Sequence, residues 1–374
     1  MATTEVNFRR TVDIKGAVKL ITTVGDAVSV ILLSEPGIGK TSTLSAIAAY
    51  NGDKWRKVGD YYPDDKYEYG YIDAPNKRDG DLFMLMPERD TKTISQYTTN
   101  VVNMNDPRPK VLLLDEVFKT LKSMRPLFTR LILERCLGDR PLPQGSIVYA
   151  TSNNPEDGVG DSFAGHEGDR VVFINLRKTK VEEWADGWAS ENGISAITRT
   201  CVRMTPRLGA SYMDGVKTED NPFIFNPKTN QFRFVSYRGM AMADVAVRNR
   251  AVLGEELMAS HIEGATNAAY AQLLTSFIKM ADELVDPSLP LKDPVNTPLP
   301  ANPAALIMLA YNMVDLIDSQ TELNNAIDYM ARSNSREMQS MFMSWVSDNK
   351  RTAKLGAANS KLQNWMVKNY RIAK

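Results

Sequence analysis

Four short runs of consecutive apolar residues mark the first half of the chain, at 28–33, 111–114, 147–150 and 171–174. An unbroken apolar run bounded by turn-forming residues predicts a strand covered on both faces, whereas a strand with one wet face would alternate. The first three runs end in polar residues: Ser34-Glu35, Asp115-Glu116 and Thr151-Ser152-Asn153-Asn154. In an open parallel sheet the carboxyl ends of the strands form the edge where ligands sit. Between the runs the spacing turns helical. Residues 41–50 place Leu44, Ile47 and Ala48 on one side, and 121–137 do the same with Leu127, Phe128, Leu131, Ile132 and Leu137, closing at Gly138. The pattern predicts an α/β fold, a parallel sheet layered between helices, over residues 1–180.

Beyond residue 180 the period is mostly helical. Residues 181–286 read as a helical lid, interrupted by a Pro-, Asn- and Gly-rich stretch with a hairpin expected near 222–235. Six prolines between Asp286 and Pro303 predict an extended tether over 287–303, and 304–374 return to helix as a C-terminal extension. No internal repeat is found.

Composition narrows the function classes. Lysine plus arginine equal aspartate plus glutamate at 45 each, so no global field draws in nucleic acid or an anionic membrane. Cys136 and Cys201 are the only cysteines, His166 and His261 the only histidines, and neither pair has metal-ligand spacing. A zinc site or a Cys-His protease is therefore a poor reading. The first ten residues lack the apolar core of a secretory signal, and no window reaches the roughly 18 apolar residues of a spanning helix. A cytoplasmic protein without membrane insertion is expected.

The candidate chemistry lies at the ends of the predicted strands. Ser34, Glu35, Pro36, Gly37, Ile38, Gly39, Lys40, Thr41 and Ser42 form a glycine loop between a buried strand and a helix, the context a P-loop requires. There the glycines let backbone N–H groups curl around phosphates, Lys40 reaches the β and γ oxygens, and the Thr41 hydroxyl ligates magnesium. The first glycine of the usual pattern is replaced by Ser34. Asp115 is the candidate magnesium carboxylate and Glu116 the candidate general base. Asn153, with Asn154 as its neighbour, offers a neutral amide for the γ-phosphate or the attacking water. Arg170 precedes the fourth apolar run, where it could be offered to a neighbouring subunit's phosphate. Arg238 opens a helix of the second region behind the capping candidate Ser236.

These residues together resemble the MoxR branch of the AAA+ ATPases. The resemblance runs through the loop 35–41, Asp81-Leu82 with Pro87, Leu113-Leu114-Asp115-Glu116, Leu133-Glu134-Arg135, Gly138-Asp139, Leu142-Pro143 and the segment 150–157. It continues through Asp169-Arg170, Glu182-Glu183-Trp184, Trp188-Ala189 and the helix of Arg238, covering most of 20–300. It implies ATP and Mg2+ as cofactors, with Lys40 and Thr41 as Walker A and Asp115 and Glu116 as Walker B. Asn153 matches the first sensor, Arg170 the arginine finger, with Arg177 as rival, and Arg238 the second sensor. It also implies a homo-oligomeric ring, usually a hexamer, with a remodelling role on a protein client, often alongside a von Willebrand factor type A protein. The segment 79–105 matches an insert that faces the pore in this branch, and carries Phe83, Met84, Leu85, Met86 and Tyr97. After Glu116 the chain reads Val117-Phe118-Lys119-Thr120-Leu121, without the asparagine-containing turn of relatives.

The expected function is ATP-driven remodelling of a protein partner. Two rivals stand beside it: a nucleic-acid motor, and a nucleotide-gated scaffold with little turnover.

Overall fold

The computed structural model describes residues 10–55, 62–78, 80–154, 168–217, 219–227, 229 and 233–369. The chain divides into two compact units, one formed by 1–179 with 226–230 and the other by 180–225 with 231–374.

Among the described residues, the first unit is built on ten strands and three principal helices. In chain order these are β1 (Thr11–Val12), α1 (Ile14–Val24), β2 (Val30–Ser34), α2 (Thr43–Asn51), β3 (Glu68–Asp73), β4 (Phe83–Glu88) and β5 (Thr93–Thr98). Then follow β6 (Lys110–Asp115), α3 (Arg125–Glu134), β7 (Cys136–Leu137), β8 (Arg140–Pro141), β9 (Ile147–Asn153) and β10 (Val172–Leu176). Six strands make one parallel sheet in the order β1-β10-β2-β9-β6-β3.

Residue alternation splits the sheet between two cores. Ile31, Leu33, Leu112, Leu114, Val148 and Ala150 face one way, against Phe128, Leu131 and Ile132 of α3. Val30, Leu32, Val111, Leu113, Ile147 and Tyr149 face the other, against Ala17, Val18 and Ile21 of α1 and Leu44 and Ile47 of α2. Every residue of β2, β6 and β9 is buried, which is why these strands read as unbroken apolar runs.

Two strands of the sheet lack that signal. β1 has only two residues, and β3 is an edge strand, Glu-Tyr-Gly-Tyr-Ile-Asp, in which only Gly70 and Ile72 are buried. The helix expected over 121–137 is shorter: α3 ends at Glu134, where Arg135 takes a left-handed φ of 55°. Gly138 lies instead in the turn of the small β7–β8 hairpin. The loop 155–167 and the central residues of the 222–235 segment lie outside the described residues, and no strand forms among the described part of the latter.

At the end of the sheet away from the ligand edge, Lys110 is fully buried and donates from Nζ to Glu68 Oε2 and to the Asp106 carbonyl at 2.8 Å. Arg108 grips Asp106 at 2.7 and 3.0 Å, and donates to the carbonyls of Tyr62 and Asp65. The hydrogen bonds from Arg108 hold the Asp106 carboxyl well below the usual carboxylate range, more than offsetting its burial. A folded-state pKa below the unfolded value gives stability that is present above about pH 4 and lost as pH falls beneath it. Asp106→Asn is therefore expected to flatten the acid limb of a melting-temperature profile between about pH 5 and pH 2. An acid limb identical to that of the parent would show that this pair is not what titrates.

The second unit is helical and has one continuous core. It joins Val181 and Trp184, helix Ala196–Arg203, helix Tyr237–Arg248, helix Ala268–Asp282 and the C-terminal helices Pro303–Leu316, Gln320–Ala331 and Arg336–Asp348. Arg199 links the early and late parts: its guanidinium lies 4.1 Å from the Tyr311 ring and 3.2 Å from Asp315, while Nε donates to the Ala185 carbonyl at 3.0 Å. The proline-rich stretch differs from the expected tether. It forms the short helix Leu289–Lys292, buries Pro290 and Leu291, and is fastened to helix Gln320–Ala331 and its C-cap Arg332. Asn325 donates to the Leu291 carbonyl at 2.7 Å, Tyr329 to that of Pro298 at 2.6 Å, and Arg332 to that of Thr297 at 2.7 Å. Proline lacks a donor but keeps its carbonyl, so a proline-rich segment can dock through acceptors alone. Among the described residues, no helix is long and apolar enough to cross a membrane.

Candidate nucleotide site

β2 delivers the chain into the loop from Glu35, and a single 3-10 turn, Lys40–Ser42, leads from the loop into α2. Gly37 and Gly39 have φ of 79° and 99°, a region side-chain-bearing residues rarely enter. Lys40 is only 7% exposed. Its ammonium donates to Asn153 Oδ1 at 2.7 Å, Ser34 Oγ at 3.0 Å, the Glu35 carbonyl at 3.1 Å and the Ser34 carbonyl at 3.3 Å. A buried cation demands such acceptors. Ser34 is thus more than a tolerated small residue, since its hydroxyl is one of the groups that hold the lysine.

Asn153 ends β9, which lies between β2 and β6, so the central strand carries the amide directly to Lys40. Asp115 ends β6. Its Oδ2 accepts from Thr41 Oγ1 at 2.9 Å and from the Tyr71 phenol at 3.1 Å, and its Oδ1 accepts from the Thr151 hydroxyl. Burial first, and then the neighbouring Asp115 carboxylate, push the Tyr71 phenol far above its ordinary pKa, so it stays protonated and donates a hydrogen bond throughout the neutral range. The Tyr149 hydroxyl sits beneath the loop, 3.1 Å from that of Thr43.

Glu116 leaves the strand with φ 54° and ψ 41°, a left-handed turn in a residue that has a Cβ. Such a backbone costs on the order of 1–3 kcal/mol and is concentrated at functional sites. The turn separates the side chain from that of Asp115: Glu116 is partly exposed and paired with Lys119 at 2.6 Å. Behind the loop, Glu35 and Lys178 form a buried ion pair at 3.4 Å.

The structure therefore gathers Lys40, Thr41, Asp115 and Asn153 at one sheet edge, with Glu116 next in chain. Hard oxygen donors from Thr41 and Asp115, already 2.9 Å apart, suit magnesium, and the glycine loop suits phosphate. Asn154 is buried beside Asn153. Arg170 is exposed in the turn before β10. Its rival Arg177 reaches Asp13, the N-cap of α1, at 3.1 Å. Arg238 is exposed in the first turn of helix Tyr237–Arg248, where Ser236 Oγ accepts from the Gly239 N–H at 3.1 Å and so performs the expected capping. Tyr71, Thr151 and Lys178 were not legible as site residues. Thr151 could have been found from its place two residues before Asn153, whereas nothing marked β3 as a strand.

A P-loop strand and an acidic strand flanking a third strand that ends in a polar amide decide the architecture. The fold is a parallel α/β sheet with a P-loop-type glycine turn at its carboxyl edge. No family model and no curated protein matches the sequence. Among solved structures, a point mutant of RuvB from Thermotoga maritima is 15% identical, with a TM-score of 0.37, covering 76% of this chain and 76% of that one. NtrX from Brucella abortus in complex with ADP is 12% identical, with a TM-score of 0.32, covering 99% of this chain and 70% of that one.

The segment read as an insert takes a definite form. β4 and β5 make an antiparallel hairpin in register Phe83↔Thr98 to Glu88↔Thr93. Its base is fixed by the Asp139 N–H donating to Gln96 Oε1 at 2.9 Å and the Thr99 N–H donating to the Leu82 carbonyl at 2.9 Å. Met84, Leu85, Met86, Ile94 and Tyr97 are exposed along it. This segment is thus a two-stranded ribbon with apolar side chains in the open.

Proposed function

We propose that the protein is a magnesium-dependent ATPase of MoxR type that remodels a protein partner while assembled as a homo-oligomeric ring. The observation that carries this reading is the convergence of Lys40 with Asn153 and of Thr41 with Asp115 at the carboxyl edge of one sheet. Backbone N–H groups around Gly37 and Gly39 bind phosphate, and Lys40 exchanges part of its protein acceptors for phosphate oxygens. Thr41 and Asp115 hold magnesium, which when bound neutralises charge on the phosphates. Glu116 accepts a proton from the attacking water at its carboxylate, Asn153 orients that water or the γ-phosphate, and Arg170 serves a neighbour's site. Arg238, carried by the second unit, is the candidate second sensor. The exposed ribbon of Met84, Leu85, Met86 and Tyr97 supports a polypeptide client, a von Willebrand factor type A protein among the candidates.

The test combines native mass measurement with phosphate release, with and without protein candidates and with single-stranded DNA at low salt. ATP-dependent assembly and turnover raised by a protein are expected. Turnover raised by DNA alone would favour a motor on nucleic acid, and assembly with flat turnover a nucleotide-gated scaffold. Failure to bind ATP at millimolar concentration would end the reading.

A further inference from the structure

We propose that Tyr71 is a positioning residue that sets the orientation of the Asp115 carboxylate for magnesium; this rests on the nucleotide-site reading above. β3 pairs with β6 in parallel register, Tyr71 opposite Leu113 and Asp73 opposite Asp115. Tyr71 lies against the same core as Leu113 and Tyr149, with its ring partly buried, and its hydroxyl reaches Asp115 two residues further along the neighbouring strand. The carboxylate is then gripped from three directions, by β3 through Tyr71, by the loop through Thr41, and by β9 through Thr151.

The chemistry gives this arrangement a purpose. A carboxylate offers about four lone-pair directions. Three protein donors leave about one for a cation or its water, and they fix which one it is. Thr41 and Thr151 alone come from elements on the β2 and β9 side of Asp115, so without the phenol the carboxylate is unsupported on the β3 side. Groups that orient a metal-holding side chain typically govern 10–100-fold in metal affinity. Among the described residues the phenol hydrogen-bonds to Asp115 and to neither the loop backbone nor Lys40, so its effect should fall on magnesium rather than on phosphate.

Tyr71→Phe in the full chain separates the two. Binding of a fluorescent ATP analogue is titrated in EDTA and again across a magnesium series, with thermal melting as the check on folding. Expected is parent-like affinity in EDTA, with the magnesium concentration for half-maximal tightening raised about tenfold. An unchanged magnesium dependence overturns the proposal, and so does an equal loss of affinity with and without magnesium, which would mark a merely structural tyrosine. If Tyr71→Phe does not fold, Tyr71→Leu, which also removes the hydroxyl that bonds Asp115, is read by the same criteria. If the parent protein itself binds no nucleotide, the site reading fails, an outcome distinct from a parent that binds and a variant that matches it.

Discussion

A chain carrying Glu116→Gln is expected to bind ATP and magnesium as the parent does while its phosphate release falls by about 10²–10⁴-fold, the usual worth of a general base. Glutamine keeps the size and the hydrogen-bonding reach of glutamate but cannot accept the proton of the attacking water. The substitution leaves the rest of the site in place, because Asp115, Thr41 and Asn153 make their contacts without Glu116. It also costs little stability. The pair with Lys119 is partly exposed, and such pairs contribute about 0–1 kcal/mol. The left-handed backbone at this position is equally strained for either residue. Single-turnover phosphate release, measured with nucleotide affinity, checks the prediction. A parent-like rate would move the base to another residue, and a joint loss of binding and rate would make Glu116 part of the binding site.

The second large effect is on stability. Phe342 is fully buried in helix Arg336–Asp348 and belongs to the same apolar cluster as Val181, Leu208 and Met240. Phe342→Ala should cost about 3–5 kcal/mol through lost burial and the cavity it leaves. Because the cluster is continuous, the loss should be felt by the whole second unit rather than by the last helices alone. Denaturant unfolding followed by helical signal, with limited proteolysis, distinguishes the cases. A variant in which only 304–374 become cleavable, with 181–285 as resistant as before, would show that the cluster is energetically divided.

The legibility of the molecule from its sequence followed burial closely. β2, β6 and β9 are covered on both faces, so they appear as apolar runs, and their polar ends named Lys40, Asp115, Glu116 and Asn153 directly. β3 lies at the sheet edge with Glu, Tyr and Gly in its first three places, which hid the strand and with it Tyr71. Helix α3 was overextended because Leu137 keeps the apolar period although the backbone has already turned at Arg135. The insert was visible as apolar residues but not as a ribbon: Met84, Leu85 and Met86 are exposed in succession, and pairing across two strands is a long-range fact that a local period does not carry. Asn325, Tyr329 and Arg332 could not announce that their partners were carbonyls of a proline stretch some 30 residues earlier.

That docked stretch governs how the protein can be taken apart. A chain cut at Ala301 would lose helix Pro303–Leu316, whose apolar residues pack on helices Ala196–Arg203 and Ala268–Asp282. The surviving piece would expose the part of the apolar cluster that these helices share with Pro303–Leu316, a patch of the kind that drives self-association. Clumping of such a truncated protein would then report an opened core rather than a native assembly, and ring formation has to be judged on the chain that keeps its last helices.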